Sequence, residues 1–157
     1  MHANFSEHPM HNLSALDGRN SPIKSAPPLS ILIIDDYEIT RSALAHLIAV
    51  KMPDAVVRVS ADYASSVGLC SLHQVDIVIT DLKRASSRLG DIFQCISAAN
   101  SGIKLILATG CRDDEELTEV SGMSNTRLLE KPVDFTVLIE TIQNLVDEMG
   151  QSGRQHS

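Results

Sequence analysis

A run of branched apolar residues followed by two carboxylates limits the possible folds of this chain most strongly. The segment Ser30–Ile34 (SILII) lacks alternating polar residues, which predicts a β-strand covered on both faces. Such strands are typical of parallel sheets flanked by helices. Asp35 and Asp36 then lie at the carboxyl end of the strand, the edge where open parallel sheets bind ligands. Taken alone, Asp36 is explained equally well as a cap for the helix predicted from Tyr37.

Three more apolar segments are followed by polar residues that could line a site. The segments and the residues after them are 76–80 with Asp81, 104–108 with Thr109, and 127–130 with Lys131. Each polar residue alone is most simply explained by solvation or helix capping. Their regular placement, each after an apolar strand, is hard to explain by chance. The sequence therefore predicts a polar site at one edge of a sheet.

Strands and helices are predicted to alternate along residues 29–149. The remaining strand is predicted at 56–60, and helices are predicted at 37–50, 63–73, 91–100, 113–122 and 134–149. Five βα units of this length predict an α/β fold, with a doubly wound five-stranded parallel sheet and helices on both faces.

The two ends of the chain differ in composition from this central domain. Residues 1–28 are rich in His, Asn, Ser and Pro and have no lasting periodicity, so we expect a disordered N-terminal arm. Its irregularly spaced histidines do not indicate a metal site. The polar residues 150–157 are expected to form a flexible tail.

Composition narrows the class of function. A chain of 157 residues allows one domain of common size, and the formal net charge of −7 argues against a nucleic-acid surface. The acidic residues within 113–119 are interpreted as a solvated helix start. Cys70, Cys95 and Cys111 have no metal-ligand spacing and are expected to be reduced. No stretch is apolar enough to span a membrane, so we expect a cytoplasmic protein.

Four short motifs together resemble the response regulator receiver domains of two-component signalling. They are Ile34-Asp35-Asp36, Ile79-Thr80-Asp81, Ala108-Thr109-Gly110 and Glu130-Lys131-Pro132. The resemblance extends from about Leu29 to Met149. It implies a flavodoxin-like sheet with strand order 2-1-3-4-5. Because only residues 150–157 follow the last predicted helix, we expect a stand-alone receiver domain.

The resemblance also implies a metal site at the sheet edge. Carboxylates that meet there repel one another, and a hard divalent cation with oxygen ligands offsets this repulsion. The expected ion is Mg²⁺ or Mn²⁺. By resemblance, Asp36 and Asp81 ligate it directly, Asp35 acts through a water molecule, and Lys83 contributes its backbone carbonyl.

By the same resemblance, Asp81 is the phosphoacceptor, assisted by Lys131 and Thr109. The phosphoryl group would come from a phosphohistidine of a histidine kinase or histidine phosphotransfer protein. The resemblance implies a phosphorylation-dependent switch that assists its own phosphorylation and dephosphorylation, rather than an enzyme. The Lys131–Pro132 peptide bond is expected to be cis.

Output is expected through the fourth helix, fifth strand and fifth helix, which would contact a downstream protein or a second copy. The chain departs from the usual pattern of the family with Leu128 in place of an aromatic residue, and with Ala85 and a late Gly90 in the loop after Asp81.

One alternative function is a receiver-like interaction module that works without phosphorylation. Another is a hydrolase with an aspartyl intermediate, although Lys83 stands where such enzymes usually have an acid.

Overall fold

The fold is built on a five-stranded parallel sheet. The computed structural model describes residues 26–81, 94, 98, 102–110 and 122–152. The strands are β1 (Ser30–Ile34), β2 (Val56–Ser60), β3 (Ile77–Asp81), β4 (Lys104–Thr109) and β5 (Thr126–Glu130). Their order in the sheet is β2-β1-β3-β4-β5, with every neighbouring pair parallel. The predicted flavodoxin-like strand order is confirmed.

Three helices lie within the described residues. They are α1 (Glu38–Lys51), α2 (Tyr63–Leu72) and α3 (Phe135–Ser152). The predictions for 91–100 and 113–122 fall largely outside the described residues, although Gln94 and Ala98 are helical. No helix in the described part of the chain is long and apolar enough to cross a membrane.

The last helix is longer than the sequence predicts. Its predicted end at 149 is wrong by three residues, because α3 continues to Ser152. The Ser152 Oγ donates a hydrogen bond of 3.1 Å to the Glu148 carbonyl and closes the final turn. Residues 150–152 of the predicted tail are therefore helical. Residues 1–25 of the predicted arm and residues 153–157 lie outside the described part of the chain.

The two faces of the sheet bury separate apolar clusters. Ile31 and Ile33 of β1 point towards α1 and α3, where they join Ile48 and Ile142 in one cluster. The alternate residues of β1, Leu32 and Ile34, join Cys70 of α2 in the other cluster. Burial of one such aliphatic side chain stabilises a fold by roughly 1.5–3 kcal/mol. Burial on both faces explains why β1 has no polar alternation.

Polar contacts at the amino ends of the strands hold the register that brings the carboxyl ends together. The Ser30 N–H donates to Asp76 Oδ2 at 2.8 Å, and the Asp76 N–H donates to the Ser30 carbonyl at 2.9 Å. Arg58 Nη1 donates to Ser30 Oγ at 3.0 Å. A slip by one residue would break these contacts and turn the apolar side chains to the wrong face. The register therefore places the ends of β1 and β3 side by side.

Candidate functional site

The polar residues predicted to meet at one edge of the sheet do lie at the carboxyl ends of adjacent strands. Asp81 is the last residue of β3 and is paired in register with Ala108, one residue before the end of β4 at Thr109. Thr109 is in turn paired with Glu130, directly before Lys131. The sheet thus brings together a carboxylate from β3, a buried hydroxyl from β4 and an ammonium from the residue directly after β5.

The Lys131 ammonium contacts the Asp81 carboxylate directly. Its Nζ donates to Asp81 Oδ2 in an ion pair whose side chains are 38% and 14% exposed, respectively. The Lys131 backbone N–H donates to the Thr109 carbonyl at 2.8 Å. The Lys131–Pro132 peptide bond is cis, as predicted. A positively charged side chain therefore contacts the carboxylate predicted to accept a phosphoryl group.

Asp35, the first of the two carboxylates after β1, is held by the start of α1. Asp35 Oδ1 accepts a hydrogen bond of 2.8 Å from the Tyr37 N–H, and the Asp35 carbonyl accepts one of 2.7 Å from Arg41 Nη1. The N-cap residue of α1 is Tyr37, so the alternative in which Asp36 caps this helix is wrong. Asp36 lies exposed at the sheet edge, and Asp35 is half-buried.

The side chains of this edge partly fit the predicted metal site. Within residues 26–81, 102–110 and 122–152, no group of three or more His, Cys, Asp or Glu side chains is arranged to hold a metal ion. The predicted ligand set needs only Asp36 and Asp81 as direct side-chain ligands, and these are hard oxygen donors of the type that Mg²⁺ prefers. Lys83, the predicted carbonyl ligand, lies outside the described residues.

Tyr63 belongs to the same site and was missed by the sequence reasoning. Its hydroxyl lies 2.8 Å from Thr80 Oγ1 and 3.4 Å from the Asp81 carbonyl oxygen. Burial raises the pKa of this hydroxyl, and the charges of Asp81, Asp35 and Asp36 raise it further. All three carboxylates therefore act electrostatically on one partly buried hydroxyl. The only signal in the sequence is an aromatic residue just after the end of a strand.

An apolar cavity of about 440 Å³ borders the site on the face covered by α1 and α3. Asp81 and Lys131 line its polar end. Its apolar lining includes Ile33, Ile79 and Ile106 from the strands and Ile39, Pro132 and Phe135 from the rim.

Solved structures of receiver domains resemble this fold. The signal receiver domain of an HD domain-containing protein from Pseudomonas fluorescens Pf-5 is 18% identical, with a TM-score of 0.71 over 83% of this chain and 95% of that one. A receiver domain of a DNA-binding response regulator (merR) from Colwellia psychrerythraea 34H is 26% identical, with a TM-score of 0.67 over 76% and 98%. A CheY-like receiver domain protein from Methanospirillum hungatei JF-1 is 18% identical, with a TM-score of 0.69 over 80% and 98%.

The sequence itself also matches a protein family. No curated protein matches the chain. The family model of the response regulator receiver domain matches residues 31–143, which include β2 to β5 and all of β1 except Ser30. Together with the strand order, this match shows that the chain belongs to the response regulator receiver domain family, the receiver part of two-component signalling proteins.

Proposed function

We propose that Asp81 accepts a phosphoryl group from a phosphohistidine of a histidine kinase or histidine phosphotransfer protein. The observation that carries this proposal is the contact between the Lys131 ammonium and the Asp81 carboxylate at the carboxyl edge of the sheet. Asp35 and Asp36 at the neighbouring strand end add oxygen ligands suited to a divalent cation. The phosphorylated domain would act as a signalling switch rather than as an enzyme.

The proposed transfer follows from the charges at the site. An Asp81 oxygen attacks the phosphorus atom, the phosphorus–nitrogen bond breaks, and the bonding electrons stay on the imidazole, which takes a proton from water. Charge on the equatorial phosphoryl oxygens must be neutralised. Lys131 would neutralise one oxygen, and the Thr109 hydroxyl would donate to another. Mg²⁺ held by Asp36, Asp81 and the Lys83 carbonyl, with Asp35 acting through water, would supply the remaining positive charge.

Exposed apolar side chains beside the site support docking of a protein donor. Tyr37, Ile39 and Phe135 line the cavity next to Asp81 and are 60%, 87% and 50% exposed. Contiguous apolar surface of this kind is typical of protein interaction sites. We propose that the donor domain covers these residues while its phosphohistidine reaches Asp81.

The output surface is proposed to include β5, α3 and the helix predicted at 113–122. Leu128 and Val137 contribute apolar surface to β5 and α3, being 36% and 44% exposed. Phosphorylation would draw Thr109 towards the phosphate and shift the loop after β4. Leu128 replaces the usual aromatic residue, so no ring at this position can signal the change. A downstream partner or a second copy of the chain would instead recognise the shifted loop after β4.

Transfer of label from phosphorylated histidine kinases or phosphotransfer proteins tests the proposed function. We expect the wild-type protein to take up one phosphoryl group as an acyl phosphate, which is lost at alkaline pH. The Asp81→Asn variant should take up none. Asp54→Asn is the matched control, because Asp54 is exposed in the turn between α1 and β2, away from the site. Absence of label from the wild-type protein with every donor, and with a small phosphodonor, would contradict the proposal.

The alternative function, an interaction module that works without phosphorylation, is tested by a phosphoryl analogue. Beryllium fluoride with Mg²⁺ should bind the wild-type protein and shift the NMR signals of residues around Asp81 and Thr109. Failure to bind, together with partner binding unaffected by Asp81→Asn, would favour the interaction module instead.

Magnesium should stabilise the folded protein if the carboxylates at the sheet edge hold the ion. Binding to the folded state alone contributes about 2.7 kcal/mol at a concentration one hundred times Kd, which raises Tm by several degrees. We expect Asp36→Ala to abolish this rise, and Asp54→Ala, in the exposed turn between α1 and β2, to retain it. Thermal unfolding with and without millimolar Mg²⁺ measures the effect, and a Tm indifferent to Mg²⁺ would count against the metal site.

A further inference from the structure

The Tyr63 side chain joins the start of α2 to the end of β3. Its ring packs against the apolar cluster that contains Leu32 and Ile34. Its hydroxyl reaches past this cluster to Thr80 Oγ1 at 2.8 Å and to the Asp81 carbonyl oxygen at 3.4 Å. The hydroxyl of a partly buried aromatic ring is thus in contact with the backbone of the proposed phosphoacceptor.

The start of α2 holds Tyr63 in this position. The N-cap residue Asp62 accepts a hydrogen bond from the Ser65 N–H at 2.8 Å, and its carbonyl accepts bonds from Ser60 Oγ at 2.8 Å and Ser66 Oγ at 2.6 Å. The Ser65 backbone bond lowers the pKa of Asp62, because it stabilises the ionised carboxylate. These hydrogen bonds to Asp62 fix the backbone position of the next residue, Tyr63.

Counting hydrogens assigns a direction to the two contacts of the hydroxyl. Tyr63 and Thr80 each have one hydroxyl hydrogen, and the Asp81 carbonyl can only accept. Both contacts are hydrogen bonds only if Thr80 donates to Tyr63 and Tyr63 donates to the Asp81 carbonyl. The second bond is long at 3.4 Å, so we expect it to be the weaker one.

The contact between the Tyr63 hydroxyl and the Asp81 carbonyl lies where the pairing of β3 with β1 stops. The pairing of β3 with β1 ends at Thr80, whereas its pairing with β4 includes Asp81. Tyr63 adds a hydrogen bond to the Asp81 carbonyl just where the β1 pairing has ended. That carbonyl belongs to the peptide unit that joins Asp81 to Leu82.

We propose that the Tyr63 hydroxyl is a positioning residue for phosphoryl transfer: it orients the peptide unit after Asp81 and thereby aims the Asp81 carboxylate. The inference rests on the proposed phosphorylation of Asp81. Small errors in the placement of a reacting group are costly in rate, because in-line attack depends on its orientation.

The Tyr63→Phe variant isolates the hydroxyl, because it keeps the ring in the core. We expect phosphorylation of this variant by acetyl phosphate, at saturating Mg²⁺, to be about three to ten times slower than in the wild-type protein. This factor corresponds to the loss of one hydrogen bond between neutral groups. Intact-protein mass spectrometry over time measures the rate, and thermal unfolding checks that the variant is folded.

Variants of Thr80 separate positioning from general stability. Thr80→Ser keeps the donor to Tyr63 and should retain the wild-type rate. Thr80→Val removes this donor but leaves the bond from Tyr63 to the Asp81 carbonyl possible, so this variant should be slowed less than Tyr63→Phe. The double variant Tyr63→Phe/Thr80→Val should be no slower than Tyr63→Phe, because Thr80 acts only through the Tyr63 hydroxyl. Ser71→Ala removes a hydroxyl at the other end of α2 and should have the wild-type rate.

The outcomes distinguish this inference from the proposed function. If wild-type Asp81 takes no phosphoryl group, the proposed function fails and this inference fails with it. If the wild-type protein is phosphorylated and Tyr63→Phe matches its rate, only the positioning role is overturned. Additive effects of the Tyr63 and Thr80 variants would also overturn it, because they would mean that the two hydroxyls act separately.

Discussion

We expect the Lys131→Met variant to be phosphorylated at Asp81 at least about 100 times more slowly than the wild-type protein. The Lys131 ammonium contacts Asp81 and would lie beside the equatorial oxygens of a phosphoryl group bound there. Removal of one preorganised donor to a developing negative charge typically costs a factor of 10² to 10³ in rate. The rate is measured with acetyl phosphate and Mg²⁺ by mass spectrometry of the intact protein.

The Lys131→Met substitution also has a smaller effect that would speed phosphorylation. In the free protein the ammonium also stabilises the Asp81 carboxylate, so its removal makes this carboxylate a stronger nucleophile. The Lys131 side chain is 38% exposed, and ion pairs open to solvent are typically worth about 0.2–1 kcal/mol. The loss of transition-state stabilisation, about 2.7–4 kcal/mol, exceeds this gain. The net result should therefore be slower phosphorylation.

Two further variants check that the effect belongs to the position and charge of Lys131. Lys51→Met removes an exposed lysine from the last turn of α1 and should have the wild-type rate. Lys131→Arg keeps the charge but presents a broader planar group, so we expect an intermediate rate. A Lys131→Met variant that is phosphorylated as fast as the wild type would exclude the proposed role of the ammonium.

The second large effect is expected in the core, where the Leu32→Ala substitution should destabilise the fold by about 2–5 kcal/mol. Leu32 is fully buried in the middle of β1 and packs in the cluster shared with α2. Truncation removes buried apolar surface and leaves a cavity that the sheet cannot close. Domains of this size are typically stable by only 5–15 kcal/mol, so the loss is a large share of the total. Urea denaturation followed by circular dichroism measures it.

The matched control for this substitution is Leu72→Ala. Leu72 ends α2 and is 79% exposed, so its truncation should change the free energy of unfolding by less than about 0.5 kcal/mol. If Leu32→Ala is too unstable to purify, Leu32→Met keeps the volume and should cost less than about 1.5 kcal/mol. Equal stability of Leu32→Ala and Leu72→Ala would contradict the described packing of β1.

The strands were predictable because burial on both faces leaves a plain signal in the sequence. The prediction for β1 is confirmed at both ends, and β3 is shifted by one residue, from 76–80 to Ile77–Asp81. The reason for the shift is tertiary. Asp76 uses its carboxylate to bind the Ser30 N–H, and Asp81 continues the pairing with β4. Neither contact is visible in a local pattern of apolar residues.

The site was only partly predictable, for a related reason. Residues that directly follow apolar strands, such as Asp81 and Lys131, could be placed at one edge because parallel strands end together. Tyr63 follows a strand as well, but its role depends on a ring that crosses the sheet face to reach Thr80. The bonds of Asp35 to the start of α1 likewise depend on how that helix leaves the sheet.

The sequence by itself determined the class of fold and the edge at which the polar residues gather, because strand burial and strand direction follow from local patterns of residues. Only the tertiary structure decided which side chains meet there. Lys131 turns to Asp81, Asp35 turns to the Tyr37 N–H, and Tyr63 reaches the Asp81 carbonyl. Such contacts join residues distant in sequence or depend on helix position, and the packing of helices on the sheet sets both.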